Sequence, residues 1–249
     1  MSRPRLFLNL EELFLGRDKS LLEHCLHHPD FEEFLKKHQL KMPLNQLVQA
    51  LTHTSFSHEY QVPHQEQLEF LGDAVLQLIL TDELFNRFGQ EKEGQLSKLR
   101  SAIVNEKSLA IMARGIELDK LILVGKGEFK KNLPEQDVVL ADSFEALLGQ
   151  IYRFHGLEFT KNLFLNWLNT FIPSALSFEF LSHFDSKSKL QELSLAKYKK
   201  LPRYSAEAAG AQFEVKLWLN EELVASGIFN SKKGGEKELA ELILKKGLI

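Results

Sequence analysis

The sequence predicts a mostly α-helical protein in two parts, an all-helical front domain followed by a small domain with the order α-β-β-β-α. Apolar residues recur at helical spacing through the chain as far as Phe171. From Ser186 the pattern changes, and residues 213–219 alternate with period two, as in a half-buried strand. The charge changes at the same place: residues 185–249 hold 12 Lys and Arg against 9 Asp and Glu, whereas residues 1–184 hold 19 against 25. Two modules with different tasks are therefore expected.

The composition is that of an ordinary globular chain. Its 249 residues are 44% apolar and 26% charged, which suits one or two domains with substantial cores. No run of about 18 apolar residues exists, and the N-terminus lacks the sustained apolar stretch of a signal peptide. Cys25 is the single cysteine, so no internal disulfide can form. We therefore expect a cytoplasmic protein with no membrane partner.

The strongest chemical signal is a stripe of acids in the first long helix. At 100° per residue, Glu66, Glu69 and Asp73 fall within about 60° of one another. No Lys or Arg lies between Glu66 and Arg87, although a solvated acidic face would normally alternate with basic residues. Divalent cations with oxygen ligands are suited to neutralising such a stripe.

A second acid pair repeats the pattern far along the chain. Asp142 and Glu145 are three residues apart in an apolar helix, again without basic neighbours. Two such helices crossing in a core would bring five carboxylates together. The alternative is that each acid is a helix cap or a solvated position, since Asp and Glu are rarely buried.

These motifs carry a resemblance to a known family. The run Glu66-Gln67-Leu68-Glu69-Phe70-Leu71-Gly72-Asp73-Ala74 resembles the signature of the ribonuclease III endonuclease domain, and residues 44–55, 93–105 and 124–128 are also similar to that domain. The resemblance implies an all-helical endonuclease domain over residues 41–173.

The resemblance also implies roles for individual residues. It assigns a metal site for Mg²⁺, or Mn²⁺ in its place, to Glu69, Asp73, Asp142 and Glu145, with Asp73 and Glu145 as catalytic residues. Glu66 and Glu93 would be supporting acids at the cleft. Phe70 would insert into the partner subunit of a symmetric homodimer.

Other patterns in the front domain have simpler interpretations. His53 and Ser55 are expected to organise the turn before the acidic helix, because a catalytic Ser–His pair needs an orienting acid and oxyanion donors. The Gly-x-Gly at Gly125 lacks the strand and helix of a phosphate cradle. After it, Lys130 and Lys131 stand where the family usually has a Ser-Gly-Gly-Arg-like stretch, and they are candidates for its phosphate contacts.

The N-terminal extension, residues 1–40, precedes the resemblance and is expected to form short helices of unassigned role. Its cluster of His24, Cys25, His27 and His28 allows a zinc site as an alternative. On a helix these side chains point in different directions and no second ligand pair has metal spacing, so the structural interpretation is favoured.

The tail resembles a double-stranded-RNA-binding domain. After a predicted linker at 174–185, residues 186–249 show a helix, three strand-like runs and a final helix over 232–246. The resemblance implies RNA contacts from five residues: Lys187, Gln191, Lys232, Lys233 and Lys237. Lysines at a helix N-terminus can reach phosphates across the major groove of the duplex.

Two departures from that domain lower the expected affinity for RNA. The loop between the first two strands, residues 209–212, is shorter than the family's and lacks its histidine. Gly234 and Gly235 also stand in the first turns of the last helix, at a cost of roughly 1 kcal/mol each relative to Ala.

Together these features predict a divalent-metal-dependent endoribonuclease of double-stranded RNA. It would leave 5′-phosphate and 3′-hydroxyl ends with staggered cuts and act in ribosomal and other RNA processing. The alternative is a non-catalytic protein that binds duplex RNA. Loss of an acid would favour that alternative, and none of the five is lost.

Overall fold

The computed structural model describes residues 28–184 and 186–249. The helices are α1 (Pro29–Lys37), α2 (Leu44–Ala50), α3 (Thr54–Tyr60), α4 (Glu66–Phe88), α5 (Glu93–Ile103), α6 (Glu106–Gly115), α7 (Lys126–Phe129), α8 (Asp137–Phe171), α9 (Phe178–Phe184), α10 (Ser186–Tyr198) and α11 (Lys232–Lys245). The strands are β1 (Arg203–Ala209), β2 (Gln212–Leu219) and β3 (Glu222–Phe229). His24, Cys25 and His27 of the zinc alternative lie outside the described residues.

The chain divides into two compact units between Leu176 and Ser177. This division falls inside the segment 174–185 that the sequence predicted as a linker. Part of that segment is helical, since it contains α9, and Phe180 and Leu181 of this helix are buried. Burial of these side chains explains why the segment is more apolar than an ordinary linker. None of the described helices is long and apolar enough to cross a membrane.

The first unit is built around α4 and α8. Leu76, Ile79 and Leu80 of α4 are almost fully buried, and α8 is buried nearly continuously over residues 139–151. A helix that is apolar on every side belongs in the centre of a domain. The helix α8 therefore forms the axis of this unit.

Two glycines allow α4 and α8 to cross with their backbones in contact. A Cβ atom added to Gly72 would lie 1.8 Å from the carbonyl oxygen of Glu145. A Cβ atom added to Gly149 would lie 2.3 Å from the carbonyl oxygen of Leu68. No side chain fits at either position, so both glycines are required by the close approach. The crossing point lies within one turn of each acid pair.

A glycine also divides α8 into two helical halves. Gly156 has φ 75° and ψ 177°, a conformation that residues with a side chain rarely adopt. Next to it, the His155 Nε2 accepts a hydrogen bond from the backbone N–H of Lys41 at 3.0 Å. The second half of α8 then continues to Phe171.

A short parallel bridge fixes the approach to α4. Thr52 pairs with Leu123, and the backbone N–H of His53 donates to the carbonyl of Leu123 at 2.9 Å. The backbone N–H of Gln65 then donates to the carbonyl of Thr52 at 3.0 Å. Because Gln65 is held in this way, α4 begins at Glu66.

The second unit confirms the predicted α-β-β-β-α order. Its strands form one antiparallel sheet in the order β1-β2-β3. Alternate residues of β2, Val215, Leu217 and Leu219, are buried against Leu190 of α10 and Leu239 of α11. This alternation is the period-two pattern that identified the strand.

Both hairpins are tight. Ala209 pairs with Gln212, which leaves only two residues in the first turn, with Gly210 at φ 66°. In the second turn, Asn220 and Glu221 have φ 47° and 74°, the left-handed values of a two-residue hairpin turn. The shortened loop noted in the sequence is therefore a minimal turn.

Gly235 has a packing role that the sequence interpretation missed. A Cβ atom there would lie 2.5 Å from Phe229 Cδ2 and 2.7 Å from Val215 Cγ2. The small residue in α11 makes room for the Phe229 ring against the sheet. Its cost in helix propensity is therefore offset by core packing.

We expect Gly235→Ala to destabilise the second unit. In an open helix this change would stabilise by about 1 kcal/mol, but overpacking here should lower the free energy of unfolding by about 1–3 kcal/mol. Hydrogen–deuterium exchange of β2 peptides measures the change. A second substitution, Phe229→Leu, should recover most of the loss. Slower exchange in Gly235→Ala alone would contradict the packing role.

Candidate active site

The structure brings the two predicted acid pairs together. Glu69 and Asp73 lie one turn apart on α4, and Asp142 and Glu145 lie on α8 at the glycine crossing. Burial, followed by repulsion from the other three carboxylates, raises the pKa of Glu145 to about 8. We call Glu69, Asp73, Asp142 and Glu145 the carboxylate cluster.

Two further members of the cluster are perturbed in the same direction. Burial raises the pKa of Glu69, and the nearby charges of Asp142, Glu66 and Asp73 raise it further. Burial also raises the pKa of Asp142, with a contribution from Glu106. Raised carboxylate pKa values indicate negative charges held close together in a partly dehydrated site.

No cation within the described ranges offsets this repulsion. None of the four carboxylates forms an ion pair with a described Lys, Arg or His; the one hydrogen bond found is from Gln77 Nε2 to Asp73 Oδ1 at 3.3 Å. By contrast, Asp82 on the same helix pairs with Lys161 at 2.6 Å. The cluster is therefore a concentration of acidic side chains with no basic partner among the described residues.

The donor set fits a hard divalent cation. Carboxylate oxygens are the ligands that Mg²⁺ prefers, and Mg²⁺ usually keeps several waters while binding one or two carboxylates. In the parts of the chain that the structure describes, no three His, Cys, Asp or Glu side chains are close enough to enclose an ion as they stand. The arrangement therefore suits an open, partly hydrated site and not a closed protein cage.

The two supporting acids have different positions. Glu66 is the first residue of α4 and is exposed, and its negative charge contributes to the raised pKa of Glu69. Its carboxylate lies 3.7 Å from His64 Nδ1. Glu93 begins α5, accepts a hydrogen bond from Ser97 Oγ at 2.7 Å, and lines a hollow of about 420 Å³. Within one chain, Glu66 adjoins the cluster and Glu93 does not.

Sequence reasoning missed two residues near the cluster. Glu106 begins α6, capped by Asn105, and its charge reaches Asp142. The buried Ser143 donates from Oγ to Gln65 Oε1 at 3.0 Å, which ties α8 to the start of α4. Asn105 followed by an acid was a visible helix-start signal for Glu106, whereas nothing local marks the Ser143–Gln65 contact.

His53 and Ser55 have a structural role, but their hydrogen bonds serve the Gly-x-Gly segment around Gly125 and not the turn before the acidic helix that the sequence predicted. The His53 Nδ1 lies 2.8 Å from Ser55 Oγ, which accepts a hydrogen bond from the backbone N–H of Gly125 at 2.9 Å. The Glu59 Oε1 accepts a hydrogen bond from the backbone N–H of Lys126 at 3.0 Å. Burial lowers the pKa of His53. These bonds hold the Gly-x-Gly segment against α3.

Comparison with known proteins was consistent with this site. The family model described as Ribonuclease-III-like matches residues 44–171, which contain the whole carboxylate cluster. The chain belongs to the ribonuclease III family. This membership confirms the resemblance seen in the sequence and the enzyme class that it implied, a ribonuclease III-type endoribonuclease.

Relatives extend the similarity beyond the nuclease unit. Ribonuclease 3 of Syntrophomonas wolfei is 37% identical over 225 residues, covering 88% of this chain and 95% of its own length. Ribonuclease 3 of Streptococcus gordonii is 40% identical over 200 residues, 77% of this chain and 85% of the relative.

A solved structure supports the fold of the first unit. It is the nuclease domain of ribonuclease III from Campylobacter jejuni, described with flexibility in a region involved in its dimer formation. It is 38% identical, aligns with a TM-score of 0.54, and covers 57% of this chain and 98% of its own. The predicted fold class is thereby confirmed.

The residues predicted to bind RNA lie on two helices of the second unit of this ribonuclease III. Lys232 and Lys233 are exposed at the start of α11, where Ser231 Oγ caps the helix by accepting from Gly234 N at 3.1 Å. Lys237 follows one turn later and is half-buried. Lys187 and Gln191 lie on α10. These positions are compatible with the predicted contacts.

Proposed function

We propose that this ribonuclease III is a divalent-metal-dependent endonuclease of double-stranded RNA that leaves 5′-phosphate and 3′-hydroxyl ends with staggered cuts. The observation that carries the proposal is the carboxylate cluster: four acids at a backbone crossing, three with raised pKa values, and no described cation paired with any of them. Processing of ribosomal and other RNA in the cytoplasm is the biological setting we propose.

Glu69, Asp73, Asp142 and Glu145 would hold Mg²⁺, or Mn²⁺ in its place. Bound there, the ion would activate a water and neutralise charge on the phosphate. In the free protein, the Glu145 carboxyl holds a proton near neutral pH because its pKa is raised to about 8. Glu145 must release this proton to become a ligand, so cation binding should become tighter as pH rises through this range.

The chain contributes the fixed orientation of the acids. Contact between the backbones at Gly72 and Gly149 leaves α4 and α8 no room to slide, and the Ser143–Gln65 hydrogen bond holds the same two helices above the crossing. Catalytic groups held in a fixed geometry contribute to rate by avoiding reorganisation when the reaction occurs. The rigid crossing thus serves the chemistry as well as the fold.

The second unit would hold the duplex. Lys232 and Lys233 project from a helix N-terminus, whose dipole reinforces their attraction for phosphate. Recognition of this kind reads the shape and backbone of duplex RNA more than its sequence. We therefore expect low sequence specificity.

Removal of divalent ions tests the catalytic proposal directly. We expect an end-labelled RNA duplex to remain uncut in EDTA and to be cut when Mg²⁺ or Mn²⁺ is restored. The new 3′ ends should be extendable by a polymerase that requires a 3′-hydroxyl. Cutting of equal rate in EDTA, or products ending in 3′-phosphate, would contradict it.

A homodimer would supply the second cluster that a duplex cut requires. Phe70, Leu78 and Phe85 of α4 are 82%, 54% and 66% exposed, and helical geometry places them within about 80° of one another. The hollow lined by Phe85, Glu93 and Arg100 lies about 22 Å along the helix from Phe70. Antiparallel pairing of two α4 helices about a two-fold axis would set each Phe70 at the other copy's hollow.

This pairing would also account for Glu93. Glu93 lines the same hollow. When Phe70 of one copy lies at the hollow of the second copy, Glu93 of the second copy lies near that Phe70 and its neighbour Glu69. The supporting acid that stands apart within one chain would then adjoin the carboxylate cluster of the other chain.

We expect Phe70→Ala to convert the dimer to a monomer at micromolar concentration. Truncating an aromatic side chain that fills a pocket of the partner subunit can cost about 2 kcal/mol of binding or more, and cutting of duplex RNA should fall with dimer content. Light scattering after gel filtration measures the mass. Phe154→Ala, a change at a 40% exposed phenylalanine of α8, is the control and should leave the mass unchanged. A dimeric Phe70→Ala protein would refute the interface.

A further inference from the structure

Lys187 lies where three elements of the second unit meet. Its Nζ donates to Glu236 Oε2 of α11 at 2.6 Å. The same Nζ lies 4.9 Å from the centre of the Tyr204 ring in β1. Lys187 therefore links α10, β1 and α11 through one side chain, and its charge already has a carboxylate partner and an aromatic face.

A second contact fixes the same region. The neighbouring Ser186 is fully buried, and its Oγ donates to the backbone carbonyl of Lys237 at 3.2 Å. The start of α10 is thus joined to α11 twice, once through a charged pair and once through a buried hydroxyl. Both contacts reach the turn of α11 that follows Lys232 and Lys233.

The spacing of α10 and α11 matters because both helices carry predicted RNA contacts. Gln191 lies one turn after Lys187 on α10, and the exposed lysines stand at the start of α11. A duplex offers minor-groove edges and major-groove phosphates at distances fixed by its A-form geometry. Two contact elements can engage such a rigid target together only if their separation is held.

We propose that Lys187 is a positioning residue that holds α10 against α11 for duplex RNA binding, and that it makes no phosphate contact itself. This inference rests on the proposed RNA binding of the second unit. A phosphate that approached Lys187 would also approach Glu236, whose carboxylate lies 2.6 Å from the Lys187 Nζ and would repel it. The ion pair therefore weakens the attraction of Lys187 for a phosphate.

The pair is partly exposed, with side chains 39% and 23% accessible, so its loss should not unfold the unit. In Lys187→Met the aliphatic stem still covers the Tyr204 ring, while the link to Glu236 is lost. In Lys187→Arg the link is kept. Lys232→Met serves as the reference for a lost phosphate contact, and Lys189→Met as the control for removing an exposed positive charge from α10.

The experiment is duplex RNA binding by the full chain, measured from about 50 to 300 mM KCl. A phosphate contact contributes roughly one unit to the slope of log affinity against log salt. We expect Lys232→Met to lower the slope by about one unit. Lys187→Met should weaken binding 3- to 10-fold, about 0.7–1.4 kcal/mol, and leave the slope unchanged. Lys187→Arg should bind the duplex as tightly as the unmodified protein. Lys189→Met should weaken duplex binding less than 2-fold.

Three results would overturn the inference. Lys187→Met could lower the salt slope as much as Lys232→Met does, or could bind the duplex as tightly as Lys189→Met does. The third is that Lys187→Arg fails to recover binding. Absence of duplex binding by the unmodified chain would instead contradict the proposed function. The two failures are therefore distinguishable.

Discussion

Gly72→Ala should abolish RNA cleavage and strongly destabilise the nuclease unit. The added methyl group would lie 1.8 Å from the carbonyl oxygen of Glu145, an atom of the α8 backbone that cannot turn aside. The helices must separate, and the cost should exceed about 3 kcal/mol, at the upper end for overpacking. Because separation moves Glu69 and Asp73 away from Glu145, a displacement of about 1 Å should lower the cleavage rate roughly 100-fold or more.

Gly94→Ala is the matched control. Gly94 lies in the first turn of α5, and an added Cβ would meet no atom within 4 Å. This change should raise stability slightly, by up to about 1 kcal/mol, and leave cleavage intact. Urea unfolding and cleavage of a labelled duplex measure both variants. A Gly72→Ala protein with normal stability and activity would show that the helices do not cross as described.

Glu145→Gln should make the metal-free protein more stable at alkaline pH. The pKa of Glu145 is about 8 in the folded protein and 4.5 as the ordinary value, so the folded state binds more protons between these limits. The free energy of unfolding therefore falls as pH rises from 4.5 through 8. Gln does not titrate, and above pH 8 in EDTA the variant should exceed the unmodified protein by about 1–3 kcal/mol, allowing for solvent exposure of the site.

The comparison has internal checks. The stability gain of Glu145→Gln should vanish below about pH 3.5, where the carboxyl is protonated in both the folded and the unfolded state. Mg²⁺ should raise the melting temperature of the unmodified protein more than that of the variant. Glu158→Gln, a change at an exposed acid of the same helix, should show neither effect. A variant less stable than the parent at pH 8.5 would refute the repulsion within the cluster.

Local pattern sufficed for much of this architecture. The spacing of Glu66, Glu69 and Asp73 identified one acid face, and the apolar helix around Asp142 and Glu145 identified the other. Period-two alternation located β2. These features depend on neighbours within a few residues, which is the range that periodicity reports.

The remaining features depend on contacts between distant segments. Gly72 and Gly149 are 77 positions apart in the sequence, and only the crossing reveals why neither can carry a side chain. Gly235 looked like a cost to its helix until the Phe229 ring was found against it. The family resemblance implied an RNA contact for Lys187, and only the folded unit shows that its Nζ pairs with Glu236 on the last helix.

The central claim is that the carboxylate cluster cuts duplex RNA and the second unit holds it. The most direct test uses three proteins: the unmodified chain, Glu145→Gln and the control Glu158→Gln. For each protein it measures cleavage of an end-labelled RNA duplex in Mg²⁺ and binding of the same duplex. We expect staggered cutting by the unmodified protein and the control, and binding without cutting by Glu145→Gln. Binding without cutting by all three, in Mg²⁺ and Mn²⁺ alike, would contradict the nuclease mechanism and indicate a protein that sequesters duplex RNA.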